Sequence, residues 1–252
     1  MSWLWDLDAF ATHWYNDRND RMPTPLRYRS RFPFRDDQYD YQAKVRAELV
    51  GEERERVALL VHTVSHCELR IEIRGTTRER QGGPARDYRV VGAQNQQWAA
   101  VLCQVGSGED FGAVRATLLP AQQLPAALTA SILGCAPGKQ ARATFHLDDL
   151  KPPTGYTQSA NTPRARFERM VVHPTTGGGH AILHLGNYHA PRTTSRAARW
   201  YDLADDGRYL EQRNRTHLDI RPATPAEHTA MFTRWIDQAT THLRARADEA
   251  YR

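Results

Sequence analysis

Histidine spacing offers this chain its nearest approach to reactive chemistry. His62 and His66 stand four residues apart in a segment patterned as helix, so both rings share one face and two such imidazoles can hold one metal. No third ligand accompanies them, and no acid follows the first histidine as a zinc-protease motif requires. His173, His180, His184 and His189 are denser. Even spacing puts His180 and His184 on one face of a strand. With His173 across a hairpin, three imidazoles converge, which makes a metal-dependent enzyme using the His173–His189 region one alternative. That stretch has no Asp or Glu to orient the rings. Cys67, Cys103 and Cys135 are odd in number and widely spaced, neither a disulfide framework nor a zinc pattern. Ser65, His66 and Cys67 are adjacent, so on a helix they do not face one another. The consecutive pairs Asp36/Asp37, Asp148/Asp149 and Asp205/Asp206 point apart and fit turns and helix starts. Trp200, Tyr201 and Tyr209 lie beside Arg199 and Arg208, a mixture that stacks single-stranded nucleic acid in some proteins. The same residues pair equally well inside a sheet, and the alternation of a stacking platform is missing. An arginine-rich nucleic-acid binder is therefore a second alternative. No phosphate-binding loop or dinucleotide fingerprint is present.

Composition bounds what must position these residues. The chain has 252 residues, 40% apolar and 25% charged, a globular balance that excludes wholesale disorder and a collagen-like fibre. No run reaches the roughly 18 uncharged apolar residues of a membrane helix. Asp6 and Asp8 stand where a signal peptide needs a basic region and then an apolar run, so a cytoplasmic location is expected. All but Lys44, Lys139 and Lys151 of the 34 basic residues are arginine, a preference that GC-rich coding explains more readily than phosphate binding does. The net charge of +5 falls wholly on residues 126–252, a hint of an acidic partner.

Apolar spacing predicts helices over Leu7–Tyr15, about Asp36–Leu49, and from Glu52 through Val64. Pattern then switches to period two. Strands are expected at Leu69–Ile73, Asp87–Ala93, Trp98–Val105 and Ala113–Leu119, an antiparallel meander. Gly75–Arg86 reads as a long mobile loop. A helix over Ala121–Leu133 and a short strand over Arg142–His146 follow. The organisation expected is an N-terminal half, residues 1–150, a linker at 151–163, and a C-terminal half, residues 164–252, within one compact domain. In the second half Arg166–His173 and His180–Leu185 read as strands around a Gly177–Gly179 hairpin tip. Ala197–Leu203, Arg208–Gln212 and His217–Ile220 are further strands, with Asp205–Gly207 as a tight turn. Thr224-Pro225-Ala226-Glu227 carries the cap, proline and glutamate of a helix start. That helix runs to Arg246 with Met231, Phe232, Trp235, Ile236, Ala239 and Leu243 on its apolar face. The class is α+β, with strands followed by a helix in each half.

Arg199-Trp-Tyr-Asp-Leu-Ala-Asp-Asp-Gly-Arg-Tyr-Leu210 resembles the Trp-x-Asp…Asp-Gly-Arg-Tyr-Leu signature of the EspG family, type VII (ESX) secretion-associated chaperones of actinobacteria. Met22–Tyr28 is similar to the family's Pro-x-Pro-Leu element. Glu53–Arg74, Arg169–Leu185 and the closing helix after Arg221-Pro222 fit too, so the resemblance spans nearly the whole chain. It implies a pseudo-symmetric α+β fold with a large, mainly antiparallel sheet and a helical bundle. It also implies a cytosolic adaptor without cofactor, metal or reaction. The implied partner is a secreted helical-hairpin heterodimer of the PE/PPE kind, bound at its apolar tip; nucleic acid and membrane insertion are not expected, and a weak homodimer is left open. The family's groove has no fixed motif. The partner-binding residues expected are therefore Met231, Phe232 and Trp235 in a groove between sheet and C-terminal helix. Thr76, Arg78 and Arg80 in the Gly75–Arg86 loop join them. Asp206–Leu210 is expected to be structural.

Overall fold

The computed structural model describes residues 1–79, 82–152, 161–189, 191 and 193–250, without the side chain of Ala250. Its helices are α1 (Leu7–Trp14), α2 (Arg35–Glu48), α3 (Gly51–Ser65), α4 (Leu124–Ala130), α5 (Pro163–Val171) and α6 (Pro225–Ala250). Its strands are β1 (Ser2–Trp5), β2 (Leu69–Thr77), β3 (Arg86–Gln94), β4 (Trp98–Gly106), β5 (Val114–Pro120), β6 (Ala143–His146), β7 (Thr175–Leu185), β8 (Thr193–Leu203), β9 (Gly207–Arg213) and β10 (His217–Pro222).

All ten strands form one sheet, in the order β1-β5-β4-β3-β2-β7-β8-β9-β10-β6. Every adjacent pair is antiparallel. The order is its own mirror plan. An edge strand (β1 or β6) precedes helical cover, then a four-strand meander (β2–β5 or β7–β10), then a helix (α4 or α6). Each edge strand lies on the last strand of its meander, and the two first strands, β2 and β7, meet at the centre.

Period-two alternation sorts the side chains of these strands onto two faces. On one, Leu69, Ile71, Ile73, Val90, Leu183 and Trp200 pack under α4 and α6. On the other, Phe10, Trp14, Leu60 and Val64 from α1 and α3 cover the first meander. On that same side Met170 of α5 joins Phe145, Leu203 and Tyr209 over the second.

The sequence expectations for α1, α2, α3, the first meander and β8–β10 correspond to elements found. Four others need correction. Residues 166–171 are helical, not a strand: Thr162 Oγ1 accepts from the Ala165 N–H at 3.2 Å, and Pro163 opens the helix. Gly177–Gly179 is no hairpin tip but part of the central strand β7. The register explains the glycines. Tyr88 lies opposite Gly75, Gly75 opposite Gly179, and Gly179 opposite Trp200. The two aromatic rings lie over the two glycines and meet where Trp200 Nε1 donates to Tyr88 Oη at 3.0 Å. A Cβ at Gly179 would stand 2.6 Å from the Trp200 ring, so a side chain there is excluded. The Gly75–Arg86 loop is shorter than expected, because residues 75–77 extend β2 and Arg86 opens β3. The helix expected over 121–133 is a single 3₁₀ turn at Ala121–Gln123 followed by α4. β1 has no counterpart among the expected strands. The middle of the 151–163 linker, residues 153–160, lies outside the described residues.

Candidate functional site

α6 begins as its sequence predicts, with Thr224 Oγ1 accepting from the Glu227 N–H at 3.1 Å. The Glu227 carboxylate pairs with Arg221 Nε at 2.9 Å, fixing the helix start to the end of β10. Met231, Phe232 and Trp235 face inward from this helix. All three are buried, the first two with no exposed surface, among the sheet residues under α4 and α6. They fasten the helix to the sheet and present no surface to a partner. Expected as partner anchors, these three lie in the core, because this part of the apolar stripe of α6 is taken up by its own sheet.

A groove does exist beside them. Toward its C-terminal end α6 passes the 3₁₀ turn, α4 and the end of the sheet and leaves a cleft of about 840 Å³. Ile236, Leu243 and Pro125 give it apolar walls, and Gln94, Gln122 and Arg244 give it polar ones. Leu243 is half-buried. Leu243 and Ile236 were visible in the sequence only as members of the apolar stripe; nothing in spacing alone tells the turns of α6 that cover the sheet from the turns that overhang it.

The β2–β3 end is the other surface. Thr76 sits in β2, and its hydroxyl donates to Asp87 Oδ1 of β3 at 2.8 Å. Arg78 follows β2, its N–H donating to Thr176 O at 2.7 Å. Arg80 lies outside the described residues. Thr76 also lines a polar pocket of about 530 Å³ between the Thr24–Arg27 loop and strands β2, β3 and β7, with Arg27, Arg74, Arg89 and His180 around it. Thr76 is thus separated from the α6 residues by the thickness of the sheet.

Among the described residues the histidines and cysteines singled out in the sequence are not brought together. His173 follows α5, with Nε2 2.6 Å from Arg169 O, and no hairpin brings it opposite His180 and His184. The His62 and His66 rings stack 4.3 Å apart. Among the described residues no three His, Cys, Asp or Glu side chains are placed to share a metal. Burial pushes the Cys67 thiol up to about 11 and raises Cys103 and Cys135 as well, so none is an activated nucleophile. Trp200 and Tyr209, expected as possible stacking surfaces, are buried and cannot meet a base. Among the described residues no helix is long and apolar enough to cross a membrane.

Asp206–Leu210 is a structural staple. Asp205 (φ 63°) and Gly207 (φ 139°) make the turn. Asp206 Oδ1 accepts from the Lys139 N–H at 2.8 Å, and Oδ2 accepts from Tyr209 Oη at 2.7 Å. Partial burial works against the charge of Asp206, but these hydrogen bonds prevail and hold its carboxyl below the usual range. Arg208 donates to both oxygens of the buried Asp202, Nε at 2.6 Å and Nη2 at 2.8 Å, and to Leu133 O at 2.8 Å. Leu210 enters the core. The motif therefore ties the second meander to the segment after α4.

The EspG family model matches residues 6–231. Among solved structures, the Mycobacterium tuberculosis type VII secretion system chaperone EspG5 in complex with the PE25-PPE41 dimer is similar over 91% of this chain and 94% of its own, at 13% identity and a TM-score of 0.57. The 12:0-ACP thioesterase from Umbellularia californica overlaps 74% of this chain and 85% of its own at 10% identity, but its TM-score of 0.17 bears on neither fold nor activity. No curated protein matches.

Proposed function

This chain belongs to the EspG family, and from that premise we propose that it is a cytosolic chaperone of a type VII secretion system. It binds the apolar tip of a helical-hairpin, PE/PPE-like pair and keeps the pair soluble until export. The observation that carries the reading is the family match over residues 6–231, supported by a shared fold with a chaperone solved in complex with a PE–PPE dimer.

The physical task is simple. A long hairpin with a bare apolar tip self-associates in water, and covering the tip removes the drive. The cover must also come off at the secretion machine, which calls for modest area and a polar rim. The cleft along the C-terminal part of α6 has that make-up, with the half-buried Leu243 as its apolar contact above the buried Ile236 and Pro125, between glutamines and an arginine. The β2–β3 end with Thr76 and Arg78, and Arg80 beyond it, is the second contact in this reading. No cofactor and no reaction are assigned.

Co-expression with a helical-hairpin pair encoded beside this gene, followed by affinity capture and size-exclusion chromatography, tests the proposal. Co-elution of all three chains is expected. A pair that stays soluble alone and never co-elutes would overturn it. Leu243→Asp on the cleft wall should weaken the complex while leaving the thermal transition in place.

A further inference from the structure

Four basic side chains stand in one row across the centre of the sheet. The register sets Arg89 opposite Arg74, Arg74 opposite His180, and His180 opposite Arg199. Their neighbours Ile73, Val90, Ala181, Ala198 and Trp200 point under α4 and α6, so the row projects from the other face. There it falls between the cover of α1–α3 and that of α5. Arg74, His180 and Arg199 are exposed, and only Arg89 is buried. Strands about 4.8 Å apart make the row roughly 14 Å long. Arg27 adds a further guanidinium from the loop above the pocket.

Like charges directly opposite across strands destabilise a sheet. Of the carboxylates on this face, Asp87 pairs with Arg89, while Glu72 and Glu211 are engaged with other partners. Asp87 accepts from Arg89 at 3.2 Å and from Thr76. Glu72 lies 3.3 Å from Arg70. Glu211, opposite Arg199, accepts from Tyr201 Oη at 2.6 Å. Among the described residues no carboxylate comes within ion-pair distance of Arg27, Arg74 or Arg199. Burial first and then Arg27 push Arg89 below the usual guanidinium range, against the pull of Asp87, and burial first and then Arg74 and Arg199 push His180 down, against the pull of Glu72.

We propose that this row, with Arg27, is a docking subsite for an acidic polypeptide segment, whose Asp and Glu side chains the guanidiniums grip in paired hydrogen bonds. The inference rests on the chaperone reading in one respect, that the segment belongs to the exported partner. Nucleic acid fits less well. The row is short, Asp87 and Glu211 border it, Trp200 and Tyr209 are buried, and the other two rings are covered by guanidiniums, Tyr201 by Arg199 at 5.0 Å from the ring centre and Phe111 by Arg27 at 5.7 Å and Arg89 at 5.9 Å.

The test titrates the full chain into fluorescein-labelled hexaglutamate and follows anisotropy at low and at physiological salt. Binding that weakens with salt is expected. Arg74→Gln/Arg199→Gln should bind about tenfold more weakly, the equivalent of one lost charge-assisted contact. Labelled hexaglutamine should not bind. Equal hexaglutamate binding by both proteins, or none by the wild type, would overturn the proposal. Tighter binding of labelled oligothymidylate, lost in the same variant, would overturn it in favour of nucleic acid. Since the substitutions relax a repulsive row, the variant should melt at or above the wild type. Should it misfold, Arg27→Gln, on the loop, carries the same comparison. Capture of the hairpin pair separates this inference from the one it rests on. A pair held undiminished by the double variant, with no hexaglutamate contrast, sinks the subsite and leaves the chaperone reading standing. A hexaglutamate contrast without any captured pair sinks the chaperone reading and leaves an acidic-segment site.

Discussion

Replacing Arg208 by methionine isolates the buried ion pair at the heart of the second half. Arg208 and Asp202 are 4% and 1% exposed, and the guanidinium satisfies both carboxylate oxygens and the Leu133 carbonyl. Methionine fills part of the volume but donates nothing. Asp202 would be left buried with no partner of opposite sign, and Leu133 O would lose a donor. Breaking one side of such a pair costs about 3–5 kcal/mol. For a chain of this size about 2–4 °C accompanies each kcal/mol, so the melting temperature should fall by roughly 6–20 °C. Removing both charges with Asp202→Leu/Arg208→Met should restore most of the loss, because the penalty lies in the stranded carboxylate more than in the lost attraction. Differential scanning calorimetry of wild type, both single variants and the double completes the cycle. A single variant that melts with the wild type, or a double no more stable than Arg208→Met, would refute the reasoning.

Phe232→Ala should cost about 3–5 kcal/mol in urea unfolding of the chain alone, because the ring is a core residue; a loss seen only in partner binding would contradict that placement. Gly179→Ala puts a Cβ 2.6 Å from both the Arg74 carbonyl and the Trp200 ring, and should cost about 1–3 kcal/mol or more and alter the near-ultraviolet dichroism of Trp200. Burial depresses His228 to about 4, against 6.5 when unfolded. Between those values the unfolded chain binds the extra proton, so stability present at neutral pH is lost as pH falls. From pH 7 to 5 the loss from this group is about 2 kcal/mol. The unfolding free energy of the wild type relative to His228→Leu, from urea titrations, should fall by that amount over the same interval, and parallel pH profiles would refute it.

What the sequence made legible was governed by local signals. Leu69, Ile71 and Ile73 alternate with charged residues because the far face of β2 is polar, so the strand is visible. Thr224-Pro225 announces α6 because a cap is a local bond. Gly177–Gly179 misled because a glycine run marks a turn by conformational freedom and a strand by close approach. Only the opposed Tyr88 and Trp200, distant in sequence, decide between them. Residues 166–171 misled because Phe167, Met170 and Val171 suit either period, and the Thr162–Pro163 cap just before them settles the matter. The site was less legible than the fold. Met231, Phe232 and Trp235 have the composition of an interface, and burial under the sheet is a tertiary fact. The basic row is invisible to any local pattern, since Arg74, Arg89, His180 and Arg199 become neighbours only through the register of four strands.

Central to this account is a protein that shields another polypeptide. The most direct measurement is size-exclusion chromatography with light scattering on the chain mixed with a purified PE/PPE-like pair, beside each component alone. The account predicts one new species whose mass is the sum of all three chains, with the pair no longer self-associating. A pair whose mass distribution is the same with and without this chain would contradict it.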